Sequence, residues 1–314
     1  NWKQLPAMRT WQKKGLIFAP DGRMPWAQHT ALTPTPFRLS QKVIRVFAGF
    51  RDDQGVSRIG FVDVDAFNPN KVLGVSDKPV LGTGKAGCFD DNGVILGDVI
   101  RHENKVLMYY VGFQLVANVK FLAFTGLAVS HDDGHTFERH GSAPVMDRSN
   151  EGLCIRAVHS AIYDNGIWKI WYGVGSSWSK INGADFPQYT TNYIESHDGI
   201  LFPEEGTVCL SFKDDEYRLG RPRVQKTKTG FCMYYTKGTL SGSYLPGYAE
   251  SPDGKKWHRM DDKVGISPSS QGWDSLALSY ATPLVVDDRE YLFYNGNDMG
   301  KTGFGYAMRD SNEA

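Results

Sequence analysis

Three ionisable residues lie in or beside apolar segments of the chain at a nearly constant interval. Asp98, His159 and Arg221 follow one another at 61 and 62 residues. A carboxylate can donate or accept a proton during bond cleavage, whereas a histidine and an arginine can hold an anion. A purely structural ion pair between Asp98 and Arg221 is the alternative interpretation.

Two further carboxylates stand close to the same kind of segment. Glu151 and Asp274 each come shortly before an apolar stretch. General acid–base chemistry needs a proton donor and a proton acceptor, so we take Asp98, Glu151 and Asp274 as the candidate catalytic residues. The alternative for Glu151 and Asp274 is that each caps a turn.

The candidate ligand-binding residues are basic or aromatic. Basic side chains would contact an anion, and aromatic rings at a groove rim would stack on a sugar ring. Packing between repeats is the alternative for the aromatic residues. The candidates are His29, Arg156, His159, Arg221, Arg223, Trp178 and Tyr280.

The sequence predicts no metal site and no cofactor. His131, His135 and His140 surround a predicted turn, so we interpret them as surface residues. A pair formed by His29 and His159 is a less favoured alternative. The glycine-rich segment at residues 82–87 lacks the spacing of a phosphate-binding loop and is followed by no predicted helix.

Five copies of one repeat position all these residues. Each copy contains an apolar-aromatic segment, and the last residues of these segments are separated by 62, 62, 63 and 59 positions. A shorter strand and a tight polar turn precede each segment, which is typical of a hairpin. The aligned residues are Ala48, Tyr110, Tyr172, Tyr235 and Tyr294.

A third strand and a turn leading to a fourth follow the hairpin. Four strands in each of five repeats predict an all-β fold, a five-bladed β-propeller of four-stranded antiparallel blades in one domain spanning residues 1–314. The last repeat lacks its fourth strand, but residues 11–18 resemble the fourth strand at 137–145. We therefore expect the N-terminal strand to complete the last blade and close the ring.

Propeller geometry predicts which residues share the central channel. The first strand of each blade lines the axis, and the hairpin alignment places one residue of each first strand at an equivalent position. The long segment at residues 176–192 is predicted to be a loop on the functional face. The equivalent residues are Thr35, Asp98, His159 or Ser160, Arg221 and Thr282.

Composition narrows the possible partners. The chain has 35 basic and 35 acidic residues, so no positive excess favours nucleic acid. No apolar run reaches the roughly 18 residues of a membrane span. The four cysteines are widely spaced, and we favour free thiols in the cytoplasm, with two disulfides in a secreted or periplasmic protein as the alternative. The oligomeric state is left open.

Two segments resemble known propeller enzymes. Residues 97–110 resemble the second-blade signature of the five-bladed glycosidases of families 43, 32 and 68 and of the family 130 mannoside phosphorylases. Residues 294–297 and 303–307 resemble propeller proteins encoded beside surface-polysaccharide genes. The resemblance implies a carbohydrate-active enzyme with a sugar or glycan as its partner.

The catalytic residues of family 43 do not carry over. Those enzymes use carboxylates on the first, third and fourth blades, where this chain has Thr35, His159 and Arg221. Basic residues at these places favour an anionic ligand, and phosphorolysis or glycosyl transfer over hydrolysis. We therefore expect an enzyme that cleaves or transfers a glycosyl group, with a non-catalytic sugar-binding or assembly module as the alternative.

Overall fold

The regular secondary structure consists almost entirely of antiparallel strands, as the sequence predicts. The computed structural model describes residues 9–242 and 244–311. Two short 3-10 helices, Asp261–Lys263 and Asn297–Gly300, are the helical segments of this part of the chain. The strands are β1 (Gln12–Phe18), β2 (His29–Arg38), β3 (Val43–Arg51), β4 (Ser57–Asp65), β5 (Asn68–Val75), β6 (Val94–His102), β7 (Lys105–Gln114), β8 (Leu122–Ser130), β9 (Glu138–Arg139), β10 (Ile155–Asp164), β11 (Ile167–Ile181), β12 (Ala184–Ser196), β13 (Thr207–Val208), β14 (Glu216–Thr227), β15 (Gly230–Thr239), β16 (Leu245–Ser251), β17 (His258–Arg259), β18 (Ser279–Val286), β19 (Arg289–Asn295) and β20 (Phe304–Asp310).

Antiparallel pairing divides these strands into five groups of four. Group 1 is β2 to β5, group 2 is β6 to β9, group 3 is β10 to β13 and group 4 is β14 to β17. Group 5 is β18 to β20 with β1, which pairs with β20. Short parallel contacts of β8 with β10 and of β12 with β14 join groups 2, 3 and 4 into one twelve-stranded sheet.

A separate apolar core fills the space between each group and the next. Phe47 and Val94 lie in the core between groups 1 and 2, and Trp171 and Leu219 lie in the core between groups 3 and 4. The core between groups 5 and 1 contains residues of β3, β4, β19 and β20. Every group therefore packs on two neighbours, and the fifth packs on the first.

The segment predicted as a loop at residues 176–192 is instead a strand hairpin. β11 and β12 continue their pairing from Ser177–Gln188 to Ile181–Ala184, far beyond the length of the other hairpins. The prediction of a loop was wrong because the polar composition of this segment masks an alternating strand pattern. The hairpin brings Phe186 and Tyr189 to the same cavity as the first strands.

Candidate functional site

The first strand of every group carries a bulge. The pairing register of each first strand with the second strand shifts there, so one or two residues have no partner. A bulge turns a side chain away from the regular alternation of the strand. The leading residues of the five bulges are Thr33, Gly97, His159, Arg221 and Tyr280.

Four of these bulge residues line one cavity of about 390 Å³. Thr33, His159, Arg221 and Tyr280 are among the residues that line it. The alignment made from sequence gave His159 or Ser160 in group 3 and Arg221 in group 4, and His159 and Arg221 line the cavity. In groups 1, 2 and 5 the aligned residues Thr35, Asp98 and Thr282 do not line the cavity. Nothing in the local sequence marks where a bulge begins, so the alignment missed the residues that do.

Three of the bulge residues have a left-handed backbone conformation. The φ angles are 53° at Thr33, 50° at Arg221 and 57° at Tyr280. This region is unfavourable for β-branched and bulky residues, by roughly 1–3 kcal/mol each. Backbone strain of this kind is concentrated at functional sites, which supports the cavity as the site of this protein.

Arg221 is fixed by acceptors from three groups. Its Nη1 atom donates to the carbonyl oxygens of Leu96 at 2.8 Å and Gly97 at 2.7 Å, and its Nη2 atom donates to Thr35 Oγ1 at 2.7 Å. Nη1 also lies 3.2 Å from His159 Nδ1. These contacts connect the bulge of group 4 to groups 1, 2 and 3.

His159 is neutral in this arrangement. An arginine nitrogen can only donate, so Nδ1 of His159 accepts and its ring proton is on Nε2. Burial, together with the charges of Arg221 and Arg223, lowers the pKa of His159 well below its usual value. The imidazole can therefore donate one hydrogen bond from Nε2 without carrying a charge.

Asp98 pairs with Arg223 and not with Arg221. Asp98 Oδ1 accepts from Arg223 Nη2 at 2.9 Å and from the Val99 amide at 2.8 Å, and Oδ2 accepts from the Ala161 amide at 2.9 Å. Both oxygens are satisfied, and Asp98 and Arg223 do not line the cavity. The suggested ion pair between Asp98 and Arg221 was wrong, because the cation that pairs with Asp98 is Arg223, two residues further along β14.

Glu151 lies in a polar cluster outside the cavity. Its carboxylate accepts from the Tyr172 hydroxyl at 2.6 Å, from Arg156 Nε at 3.0 Å and from the Gly206 amide at 3.0 Å. Arg156 also donates to the carbonyl oxygen of Asp147 at 2.9 Å. Neither Glu151 nor Arg156 contributes to the cavity wall, and their predicted catalytic and binding roles stay predictions.

Asp274 has a comparable environment in group 5. Its Oδ2 atom accepts from the Tyr294 hydroxyl at 2.9 Å and lies 2.9 Å from Lys13 Nζ. Burial alone would raise the pKa of Asp274, but the hydrogen bonds from Lys13, Ser269 and Tyr294 outweigh it and lower the pKa. The structure does not bring the three candidate catalytic carboxylates together in one cavity.

The remaining candidates have different positions. Tyr280 lines the cavity, where burial and the neighbouring Tyr189 raise its pKa to about 12, so the phenol is neutral. His29 Nδ1 lies 2.8 Å from Thr30 Oγ1, and His29 is outside the wall. Trp178 does not line the cavity, but its ring packs edge-on at 4.9 Å against Phe121, which does.

Sequence reasoning missed Arg218, which lies three residues before Arg221 on β14. The side chain is 8% exposed, lines the cavity, and holds its guanidinium carbon 3.8 Å from the centre of the Tyr244 ring. The Tyr244 hydroxyl lies 2.9 Å from that of Tyr189. Regular alternation along β14 would place Arg218 and Arg221 on opposite faces, and the bulge at Arg221 brings both of them to the cavity.

The cavity wall carries more positive than negative charge. Its cationic residues are Arg51, Lys120, Arg218 and Arg221. Among the described residues of the wall, Asp185 is the one carboxylate, and it forms an ion pair with Lys180 at 3.1 Å. The aromatic residues of the wall are Phe113, Phe121, Phe186, Tyr189, Tyr244 and Tyr280.

Metal ligands do not cluster in the described part of the chain. Residues 9–242 and 244–311 contain no group of three His, Cys, Asp or Glu side chains placed to hold an ion. The neutral His159 lies between two guanidinium groups, which makes its surroundings unfavourable for a cation. Within the same residues, no helix has both the length and the apolar character of a membrane span.

Comparison with known proteins defines the family. No protein-family model matches the chain. It is 31% identical over 304 residues to the uncharacterized protein Rv1502 of Mycobacterium tuberculosis strain H37Rv, covering 96% of this chain and 99% of the relative. The chain belongs to the Rv1502 family. A second family member, MT1551 of strain CDC 1551, matches with the same identity and coverage.

Solved structures show the fold that the Rv1502 family shares. A glycoside hydrolase matches with a TM-score of 0.73 and 19% identity, over 98% of this chain and 93% of that one. A glycosyl hydrolase from Bacteroides ovatus matches with a TM-score of 0.73 and 14% identity, over 99% and 97%. A structure described with the GH130 family of mannoside phosphorylases matches with a TM-score of 0.69 and 14% identity, over 98% and 96%. The resemblance to glycosidase-like propellers is confirmed as a likeness of fold.

Proposed function

We propose that this member of the Rv1502 family is a sugar-binding protein whose ligand occupies the cavity between the first strands. The five groups are interpreted as the blades of a five-bladed propeller, with β1 completing the last blade. Five packed interfaces, including that of group 5 with group 1, support this interpretation. In this interpretation, the ligand site lies at one end of the central channel of the propeller.

The observation that carries this proposal is the chemistry of the cavity wall. Aromatic rings and fixed hydrogen-bond donors surround a volume of about 390 Å³, a size suited to a small ligand. Hydrolysis of a glycosidic bond normally uses two carboxylates that flank it. The wall has Asp185 alone, and this carboxylate is 47% exposed and ion-paired. The geometry therefore favours binding over hydrolysis by paired carboxylates.

A second candidate function is phosphorolysis, and the excess of cations favours it. In an inverting phosphorolysis, phosphate itself attacks the anomeric carbon and replaces the water that a second carboxylate would activate. One acid then suffices to protonate the leaving oxygen, and Asp185, the one described carboxylate of the wall, would take this role after leaving its ion pair with Lys180. Arg51, Lys120 and Arg218 would hold the phosphate.

Ligand binding is the first test. A panel of neutral and acidic monosaccharides and oligosaccharides is measured by thermal shift and then by calorimetry, since a ligand that binds the folded state raises its melting temperature. Removing the ring in Phe186→Ala is expected to weaken binding roughly tenfold, equivalent to about 1.4 kcal/mol. The control is Phe67→Ala, an exposed aromatic residue outside the cavity. Equal affinity in both variants would contradict the proposed site.

Product analysis separates the two candidate functions. The protein is incubated with each bound oligosaccharide, with and without inorganic phosphate, and the products are separated by chromatography. A sugar phosphate formed only with phosphate present, and lost in Asp185→Asn, would establish phosphorolysis. Release of free sugar without phosphate would contradict both candidates. Binding without any product supports the sugar-binding function.

A further inference from the structure

Arg218 is a buried cation whose charge no described residue neutralises. It is 8% exposed and forms no ion pair with a described carboxylate. Its Nε atom has no hydrogen-bond partner among the described residues, as is also true of Arg221, Arg223 and Arg259. A buried, unpaired charge is strongly unfavourable unless a ligand compensates for it. We propose that Arg218 binds an oxyanion carried by the sugar ligand, a carboxylate or a phosphate; this inference rests on the proposed function.

Two other buried arginines of group 4, Arg259 and Arg223, have a carboxylate partner, whereas Arg221 donates to two carbonyl oxygens and to Thr35. Arg259 donates to Glu216 at 2.7 Å through each of two nitrogens and to Asp261 at 2.8 Å. Arg223 is paired with Asp98. Arg218 is similarly buried but has no carboxylate partner among the described residues. Unlike Arg223 and Arg259, it lines the cavity.

Aromatic rings hold the guanidinium by its faces. Its central carbon lies 3.8 Å from the ring centre of Tyr244 and 5.4 Å from that of Phe186. A guanidinium stacked in this way keeps its N–H groups in its own plane, where they match the two oxygens of a carboxylate or phosphate. The hydrogen bond between the Tyr244 and Tyr189 hydroxyls orients the stack in advance.

The rest of the wall favours the same ligand charge. Arg51 and Lys120 add positive charge to the cavity, whereas Asp185 is already paired with Lys180. The whole chain has no net charge, so this excess is local. A neutral sugar would leave the Arg218 charge uncompensated, and an acidic sugar would satisfy it.

The test compares acidic and neutral forms of one sugar. Glucose, glucuronate, glucose 6-phosphate and inorganic phosphate are titrated separately into the full chain by calorimetry. At least one acidic sugar is expected to bind 10-fold or more tightly than glucose, with an affinity that falls as salt increases. Glucuronate and glucose 6-phosphate distinguish a carboxylate from a phosphate. Equal binding of neutral and acidic forms, or binding of inorganic phosphate with no acidic sugar, would overturn the proposal.

Two substitutions assign the effect to Arg218. Arg218→Met is expected to abolish the preference for the acidic sugar while weak glucose binding remains, and Arg218→Lys to retain part of it. The control Arg289→Gln removes an exposed charge outside the cavity. It should change neither the preference for the acidic sugar nor the binding of glucose. Retention of the preference in Arg218→Met would refute the role of Arg218.

Stability measurements distinguish this proposal from the proposed function. Since Arg218 is unpaired in the free protein, Arg218→Met should melt at the same temperature as the wild type or higher. If Arg218→Met fails to fold, the acidic preference and salt dependence of the wild type still decide the inference. If no sugar of either kind binds the wild type, the proposed function fails; if only the preference is absent, the Arg218 inference alone fails.

Discussion

The Tyr172 hydroxyl donates to Glu151 Oε1 at 2.6 Å, and the same relationship recurs in three other groups. The tyrosine ends the apolar segment of its repeat, and the carboxylate lies outside the cavity and close to a basic side chain. The equivalent pairs are Tyr110 with Asp90, Tyr235 with Asp261 and Tyr294 with Asp274. The basic partners are Arg139, Arg156, Arg259 and Lys13. The recurrence of this cluster predicts that it stabilises the repeat and that Glu151 and Asp274 have a structural role.

Glu151→Gln should therefore destabilise the fold. The substitution leaves the Arg156 guanidinium, whose side chain is 4% exposed, without its carboxylate, and breaking such a buried pair costs roughly 3–5 kcal/mol. The free energy of unfolding is measured by urea denaturation, with Glu103→Gln, at a 74% exposed side chain, as the control. Unchanged stability combined with loss of a catalytic activity would instead support the catalytic role predicted from sequence.

His159 should make the stability of the protein depend on pH below 6.5. Its folded-state pKa is depressed by burial and by Arg221 and Arg223, so the unfolded chain takes up a proton that the folded chain does not. The stabilising contribution is complete above pH 6.5 and is lost by as much as about 1.4 kcal/mol for each pH unit below it.

Denaturation curves of the wild type and His159→Asn at pH 7.5 and 5.5 test this dependence. The asparagine side-chain oxygen can replace Nδ1 as the acceptor for Arg221. The wild type should lose more stability than the variant between the two pH values. The same loss in both proteins would show that His159 is not the titrating group.

Gly97 should not tolerate a side chain. A Cβ atom there would lie 2.5 Å from the Val158 carbonyl oxygen and 2.6 Å from that of Tyr109, and neither backbone atom can move freely. Gly97→Ala is expected to destabilise the protein by roughly 1–3 kcal/mol in urea denaturation. Gly74→Ala is the matched control, because a Cβ atom there meets nothing within 4 Å. Equal effects of the two substitutions would contradict close packing of the bulges.

Trp11 should contribute strongly to the attachment of the N-terminal strand. Its ring is 6% exposed, packs edge-on against Tyr234 at 6.0 Å and lies 3.9 Å from the Arg309 guanidinium carbon. Trp11→Ala is expected to cost roughly 3–5 kcal/mol and to lower the melting temperature in calorimetry. Leu16→Ala, at a 41% exposed position of β1, should change the melting temperature little. A Trp11→Ala protein as stable as the wild type would argue against the closing role of this strand.

Much of the fold was predictable because it rests on local sequence patterns. The apolar-aromatic segments recur at nearly even spacing, and the structure has a second strand at each of them. The pairing of β1 with β20 follows from the likeness of residues 11–18 to a fourth strand. Hairpin turns and alternating side chains are short-range features, so a single chain reveals them.

The bulges limited prediction of the site. Side chains of a strand alternate between its two faces, so an unpaired residue reverses which side chain reaches the cavity. Because of the bulges, Thr33 and not Thr35 lies on the cavity wall in group 1, and Tyr280 and not Thr282 lies there in group 5. In group 2 the bulge residue is Gly97, and Asp98 is directed to Arg223 instead.

The amino-acid sequence by itself determined the repeat, the all-β architecture and the concentration of ionisable residues on the first strands. Only the tertiary structure decided which charges are neutralised within the protein. Asp98 and Arg223 are 125 residues apart and meet only when groups 2 and 4 share an axis, whereas Arg218 faces the cavity and forms no ion pair with a described carboxylate. Pairing of buried charges depends on distances and directions in space, and the spacing of residues along a chain does not contain them.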